Sequence, residues 1–251
     1  MSEKKMGTEI KDFLAQRGIP LVGISGISPL PSVPEDFSPQ CLLKAAKSVI
    51  CYGVPIPKGV VYADSHALEL YWRYCNMLYR SLDTATNQLC LMLEEHGQMA
   101  SPVYGCFPWK MANRQFWGFL PLVYWAEQAG LGKLTQCGLV ANPRFGTRVL
   151  LGGVVATTDL EPTGKLTEDP CPPGCLDCVN VCPVNAIAET GKVDHNLCIR
   201  YSGANPLLTH LLEDPAAKQR FPFETIVNTV GVDDHGAYTC NSCLKVCPLN
   251  R

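Results

Sequence analysis

Eight cysteines in the last third of the chain are the residues best suited to chemistry. Cys171, Cys175, Cys178 and Cys182 form one run, closed by Pro183. Cys240, Cys243 and Cys247 form a second, closed by Pro248, and Cys198 stands between the two. Two four-iron clusters need this number of thiolates, four each. The spacing predicts how they are shared. In paired cluster runs, three closely spaced cysteines wrap one cube, and the fourth, followed by proline, crosses to the other. Cys171, Cys175 and Cys178 are therefore expected to hold one cluster with Cys247. Cys240 and Cys243 are expected to hold the second with Cys182 and Cys198. Each proline lacks an amide hydrogen and fixes its own φ, so it turns the chain just past a ligand. Three residues, Pro172, Pro173 and Gly174, separate Cys171 from Cys175 where the usual spacing is two. Gly174 can adopt a positive φ and absorb the extra residue.

Two structural zinc sites would also take eight cysteines and would also use C-x2-C pairs. Zinc explains neither the C-x3-C-P endings nor the exchange of a ligand between runs. Disulfides are not expected, because Met1–Lys5 opens onto a mildly amphipathic stretch without the apolar core of a secretory signal. A reducing, cytoplasmic compartment follows as the expectation, and no apolar run has the length of a membrane span. Cys41, Cys51, Cys75, Cys90, Cys106 and Cys137 are left over and are expected to be buried free thiols.

The elements that must position these residues are partly legible. Hydrophobic residues make up 47% of the 251 and charged residues 18%, which implies a substantial core. The formal charge of −2, without a dense Lys/Arg block, argues against nucleic acid as the main partner. Met6, Ile10, Phe13 and Leu14 predict a helix over 3–17, and strands are expected at 21–25 and 48–55. The longest helix is expected over 65–96, with Leu68, Tyr71, Trp72, Cys75, Leu78, Tyr79, Leu82, Leu89 and Leu93 as its apolar stripe. Val103–Gly105 suits a short strand. Residues 106–120 carry aromatics without a clean period and are expected to be a loop, pocket-lining or buried. A helix over 121–129 and a buried strand over 148–157 complete the front part. From Asp159 to Pro173 the chain turns polar and rich in Pro and Gly, so domains are expected at 1–160 and 161–251. Strands alternating with helices make the first of these α/β or α+β.

Taken in order, Ala129-Gly-Leu-Gly132, Gly138-Leu-Val140, Asn142-Pro-Arg-Phe-Gly146, Arg148–Gly152 and Thr157-Thr-Asp159 resemble the core segment of the epoxyqueuosine reductase and reductive dehalogenase superfamily. Cys198-Ile-Arg-Tyr201 resembles an element of the double-cluster module that follows it there. The resemblance is good over about 120–251 and loose before that. It implies an α+β fold: a nitroreductase-like α/β domain carrying a base-off cobalamin, and a C-terminal bacterial-ferredoxin-like domain with two 4Fe-4S clusters. The implied activity is that of an anaerobic iron-sulfur reductase. A low-potential donor such as ferredoxin or flavodoxin would feed electrons through the clusters to the corrinoid, which would reduce a small organic substrate. By position, Leu131, Gly132 and Gly138 would offer backbone to the corrin. Arg148, Arg200, Tyr201 and Ser202 would lie near the cofactor or its inner cluster. Turns, an ion pair and packing are the plainer roles open to the same residues.

Some family features are missing. Epoxyqueuosine reductases carry an acidic proton donor where this chain reads Asn113–Pro121, which holds no carboxylate, and their Asp-Tyr-His element at the start of the long helix is absent. The sequence stops at Arg251, just past the last cysteine run, without the helical extension that holds tRNA. Reduction of epoxyqueuosine in tRNA is therefore not expected. Tyr104 and Tyr124 are the tyrosines open to an acid role, and no catalytic acid is assigned. The alternative function is an electron-transfer or reactivation protein. It would serve a separate corrinoid or flavin protein and have no substrate site of its own.

Overall fold

A computed structural model describes residues 3–106, 109–112, 115–202 and 240–250. In chain order the front part runs α1 (Glu3–Ala15), β1 (Leu21–Gly26), α2 (Pro39–Leu42), β2 (Ser48–Pro55), α3 (Lys58–Val61), α4 (Ala67–Glu95) and β3 (Ala100–Val103). It continues through β4 (Trp109–Ala112), β5 (Gln115–Gly118), α5 (Leu122–Gln128), β6 (Lys133–Leu134), β7 (Val140–Ala141) and β8 (Val149–Ala156). Among the described residues, three short helices follow near the cysteines: α6 (Asp177–Val181), α7 (His195–Ser202) and α8 (Ser242–Val246).

The central sheet has the order β1-β2-β8-β3, and every pairing in it is antiparallel. That decides for α+β, since a sheet of βαβ units would be parallel. β2 and β8 pair over their full length and are buried on both faces, so alternate residues feed two cores. Ile50, Tyr52, Val54, Leu150, Val154 and Ala156 face α1 and α4. Val49, Cys51, Leu151 and Val155 face α5 and Leu131. The sheet is thus the middle of three layers.

α4 earns its place in the first core through the 3.6 period. Tyr71, Cys75, Tyr79, Leu82, Leu89 and Leu93 are buried along one face, and burial of each of the leucines contributes about 2 kcal/mol. Leu68 shares their period but lies in the first turn of the helix and is 48% exposed. Thr86 is buried on the same face, where it accepts or donates a hydrogen bond with the Tyr52 hydroxyl and reaches the Leu82 carbonyl at 2.7 Å.

Close layer packing depends on Gly152 and Gly153. A Cβ on Gly152 would stand 2.8 Å from the Tyr52 ring, and one on Gly153 would stand 2.7 Å from Leu122 and 3.1 Å from the Ile50 carbonyl. Gly153→Val is therefore expected to destabilise the fold by about 1–3 kcal/mol through overpacking. A lowered urea midpoint is the readout, and a midpoint equal to that of the parent protein would contradict the packing described.

Residues 106–120 depart from the loop expected of them. β4 and β5 form a hairpin in which Trp109 pairs with Gly118 and Met111 with Phe116. Four residues per strand are too few for a period to be read. Among the described residues no helix is long and apolar enough to cross a membrane.

Candidate metal centre

The two cysteine runs fold alike. Leu176, which starts α6, has φ −120° and ψ 15°, and Asn241, which starts α8, has φ −125° and ψ 19°. Cys182 and Cys247, which end those helices, have φ −67° and −58° with ψ 114° and 120°. Extended backbone at both is the conformation that a following proline imposes. α6 and α8 pack against each other, so the runs meet.

Cys171, Cys175, Cys178 and Cys247 line one opening together with Pro172 and Pro248. Three thiols from one run and one from the other therefore come together. The sulfurs ring a space instead of converging on a point. Among the described residues no three His, Cys, Asp or Glu are gathered so as to hold a single ion. The other four thiols are neighbours as well: Cys198 lies within electrostatic reach of Cys240 and Cys182, and Cys243 of Cys198 and Cys240. The Cys182 sulfur also receives the Ala186 amide at 3.2 Å. Burial, then the neighbouring thiols, push the Cys198 thiol up to about 12. Burial raises Cys171 and Cys247 too. Bound iron would reverse this, because thiolate ligands gain more from the metal's positive charge than burial takes away. The donor set and its spacing thus suit iron-sulfur cubes.

The front domain reaches into this centre. Residues 135–139 are the tip of the β6–β7 hairpin, closed by Thr135 N–H to Leu139 O at 2.9 Å and Gly138 N–H to Thr135 O at 2.9 Å. Gly138 has φ +74°, a left-handed value that glycine adopts without strain, and its Cα faces Val193. Gln136 donates to the Ala188 carbonyl at 2.9 Å. Between them, Cys137 is carried into the opening lined by the four cysteines. Its sulfur lies 3.3 Å from Thr135 Oγ1, and its side chain packs with Cys178 and Ile187, beside Cys182 and Cys243. Hydrogen bonding with Cys178 and then Cys243 pulls the Cys137 thiol below its ordinary range, and the same interaction, then burial, raises Cys178 and Cys243.

A second tie joins the front part of the chain to the second cysteine run. Asn250 is 1% exposed, and its Oδ1 accepts the Thr147 amide at 2.8 Å. Its Nδ2 donates to Thr147 Oγ1 at 2.9 Å and to the Leu244 carbonyl at 2.8 Å.

The residues expected near a corrin are placed as follows. Leu131 is buried in the core; its amide bonds Ala126 O at 3.0 Å, and its carbonyl accepts Asn142 Nδ2 at 2.6 Å. Gly132 abuts Ala141, and the Gly138 amide is committed within its own turn. Arg148 is 7% exposed, with Nη1 donating to the Ile56 carbonyl and Nε buried without a partner. Arg200, Tyr201 and Ser202 lie on α7, which packs against β5. Ser202 is buried and donates to the Ile199 carbonyl at 3.3 Å. Of the two tyrosines open to an acid role, Tyr104 donates to Asn87 at 2.9 Å. Tyr124 is raised above its usual pKa by burial and then by Glu127.

Of the six other cysteines, Cys51, Cys75 and Cys90 are buried free thiols, held well above the ordinary thiol range chiefly by burial. Cys41 is exposed, contrary to expectation, on the surface of α2. Cys137 is buried as expected, but among the cluster cysteines. Its position within the short hairpin that precedes Asn142 was the available signal, and the linear spacing gives no hint of its neighbours.

An α+β layer fused to a thiol-ringed centre defines an iron-sulfur protein, and comparison with known proteins agrees. Residues 171–250 match the family described as a 4Fe-4S double cluster binding domain. The epoxyqueuosine reductase of Staphylococcus aureus is 31% identical over 126 residues, which are 50% of this chain and 28% of that protein. This chain therefore spans under a third of that relative's length. Among solved structures, an epoxyqueuosine reductase with a tRNA-Tyr epoxyqueuosine-modified stem loop superposes with a TM-score of 0.65 at 20% identity, over 98% of this chain and 65% of the other. A catabolic reductive dehalogenase in complex with 3-bromo-4-hydroxybenzoic acid superposes with a TM-score of 0.64 at 15% identity, over 100% of this chain and 32% of the other. Half of the chain is thus similar in sequence to epoxyqueuosine reductase, and its fold is shared with epoxyqueuosine reductases and reductive dehalogenases. One expectation is withdrawn on this comparison. Net charge had argued against nucleic acid, yet a protein of this fold is solved with a tRNA stem loop, so whole-chain charge does not decide the matter.

Proposed function

We propose that this chain is an iron-sulfur reductase in which two clusters carry electrons into the front domain, where a corrinoid serves the reduction of an organic substrate. Cys171, Cys175, Cys178 and Cys247 hold one cluster, and Cys182, Cys198, Cys240 and Cys243 hold the other. The division between domains falls near residue 160. A low-potential ferredoxin or flavodoxin is the donor. The observation that carries this reading is that thiols of both runs line one opening to which Thr135, Gln136 and Cys137 of the front domain also belong. A cluster there abuts the front domain directly, so electrons do not have to cross solvent.

When bound, the corrinoid supplies the low-potential metal chemistry, and the protein supplies binding, orientation and exclusion of water. Arg148 is the residue here with a buried donor to offer: its unpartnered Nε suits the amide and phosphate oxygens that a corrinoid carries. Anaerobically loaded protein is expected to bind hydroxocobalamin at about one cobalt per chain, with a shift of the visible spectrum. Arg148→Met is expected to weaken that binding about tenfold, equivalent to ~1.4 kcal/mol. Iron-replete protein that binds no cobalamin would sink the corrinoid part of the reading. Turnover is assayed with small halogenated aromatics and with a modified tRNA stem loop side by side, because superfamily members of this fold are solved with one or the other.

The amides of Leu131 and Gly138 favour a second reading, since both are committed inside the chain and unavailable to a corrin. In that reading the protein delivers electrons to a separate corrinoid or flavin protein. Turnover of a small molecule by the isolated chain would exclude it.

A further inference from the structure

Asn76 and Asn250 are both buried, and the fold treats them oppositely. Every amide atom of Asn250 is used, Oδ1 by Thr147 and Nδ2 by Thr147 and Leu244. Asn76, inside α4, is 0% exposed, and neither its Nδ2 nor its Oδ1 has a hydrogen-bond partner among the described residues. On helix propensity alone, leucine would serve better at that position. Buried polar groups in native proteins are nearly all partnered, so an amide with both atoms unmet calls for a functional account.

Two further unmet groups lie on elements packed around the same stretch of α4. α3 packs on α4, and Tyr62, which ends α3, has a buried hydroxyl without a partner. Arg148, whose buried Nε is also unmet, is tied through Nη1 to the carbonyl of Ile56, just before α3. Ile56 and Tyr62 belong to the same core as Tyr71 and Cys75 of α4, and Asn76 follows Cys75 directly.

We infer that Asn76 binds a primary carboxamide on the rim of the corrinoid, its Oδ1 accepting from that group's N–H and its Nδ2 donating to that group's oxygen. A carboxamide meets both atoms of an asparagine side chain at once, because each partner offers an acceptor oxygen and N–H donors. A phosphate or carboxylate would satisfy Nδ2 and leave Oδ1 unmet, since neither has a proton to give. Asn76 therefore suits the neutral rim of the ligand, and Arg148, which can only donate, suits its oxygens. The inference rests on the corrinoid reading and adds to it the residue that recognises the carboxamides.

The test uses the full-length protein, loaded with iron and sulfide without oxygen, as parent and as Asn76→Leu. Both are titrated with cobinamide, whose rim is carboxamide, and with heptamethyl cobyrinate, whose rim is methyl ester and has no N–H. The visible spectrum reports binding. The parent is expected to prefer cobinamide. Asn76→Leu is expected to bind cobinamide about tenfold more weakly and the ester no more weakly, so that the preference disappears. Without corrinoid, Asn76→Leu should denature at the same urea concentration as the parent or a higher one, because the amide it removes has no partner to lose. A purely structural asparagine would give the reverse, a lower midpoint with the preference intact, and either of those results would overturn the inference. A parent that binds both compounds without preference would overturn this inference and leave the corrinoid reading standing. A parent that binds neither would overturn both.

Discussion

Cys247→Ala is expected to remove the same cluster as Cys171→Ala, although the two residues lie at opposite ends of the cysteine-rich segment. Each variant should retain about four irons per chain where the parent holds about eight. Cys198→Ala should also retain about four, but those of the other cluster. The distinction is visible by electron paramagnetic resonance, because the first two variants must leave the same residual signal and the third a different one. The physical basis is that Cys247 lines one opening with Cys171, Cys175 and Cys178. The backbone at Cys247, φ −58° and ψ 120°, directs the chain across to the other run, as that at Cys182 does. If Cys247→Ala and Cys198→Ala left the same signal, each run would be closing its own cluster, and the exchange of ligands would be wrong. The double variant Cys171→Ala/Cys247→Ala is a further check. It should lose no more iron than either single variant, since both act on one cube.

The second large effect is expected at Asn250, near the end of the chain. Asn250→Ala removes three hydrogen bonds at a site 1% exposed and leaves the Thr147 amide and the Leu244 carbonyl without their partner. An unsatisfied buried group costs about 1–3 kcal/mol, so a loss of about 2–5 kcal/mol is expected. Thr147 lies in the front part of the chain, just before β8, and Leu244 in α8, so the loss should appear as the two parts separating in stability. Denaturation of the parent should be a single transition. In Asn250→Ala the cysteine-rich part should unfold first, followed by cluster bleaching at lower denaturant than the loss of far-ultraviolet circular dichroism. A single transition with an unchanged midpoint would show that Asn250 is not what couples them. Asn250→Asp is the finer probe. It keeps the acceptor for the Thr147 amide but loses both donations, and it should fall between parent and alanine.

Much of the centre was legible in the linear order of residues. The C-x2-C-x3-C-P ending recurs at Cys175–Pro183 and Cys240–Pro248, and its proline constrains the preceding cysteine whatever the surroundings. The long helix was legible for a related reason. α4 repeats its apolar period over 29 residues, enough turns for the buried face to stand out. Its N-terminal edge was not: Leu68 fits the period as a letter but lies in the first turn and stays exposed. The β4–β5 hairpin and the two-residue strands β6 and β7 were missed because pairing partners define such strands, and pairing leaves no period in so few residues.

Taken alone, the sequence determined the number of thiols, their grouping into two runs, and the continuous apolar runs that make β2 and β8 a doubly buried centre of the sheet. These are local: each depends on spacing that the chain carries with it. The tertiary structure decided what is not local. It made the sheet wholly antiparallel, turned the glycine-rich segment at 130–138 from an exposed backbone surface into a packed hairpin, and placed Cys137 beside cysteines of both runs. It also drew Asn250 back onto Thr147 across 103 residues of sequence. Contacts between segments so far apart are set by which surfaces can exclude water together, and that is a property of the assembled layers, carried by no stretch of residues read singly.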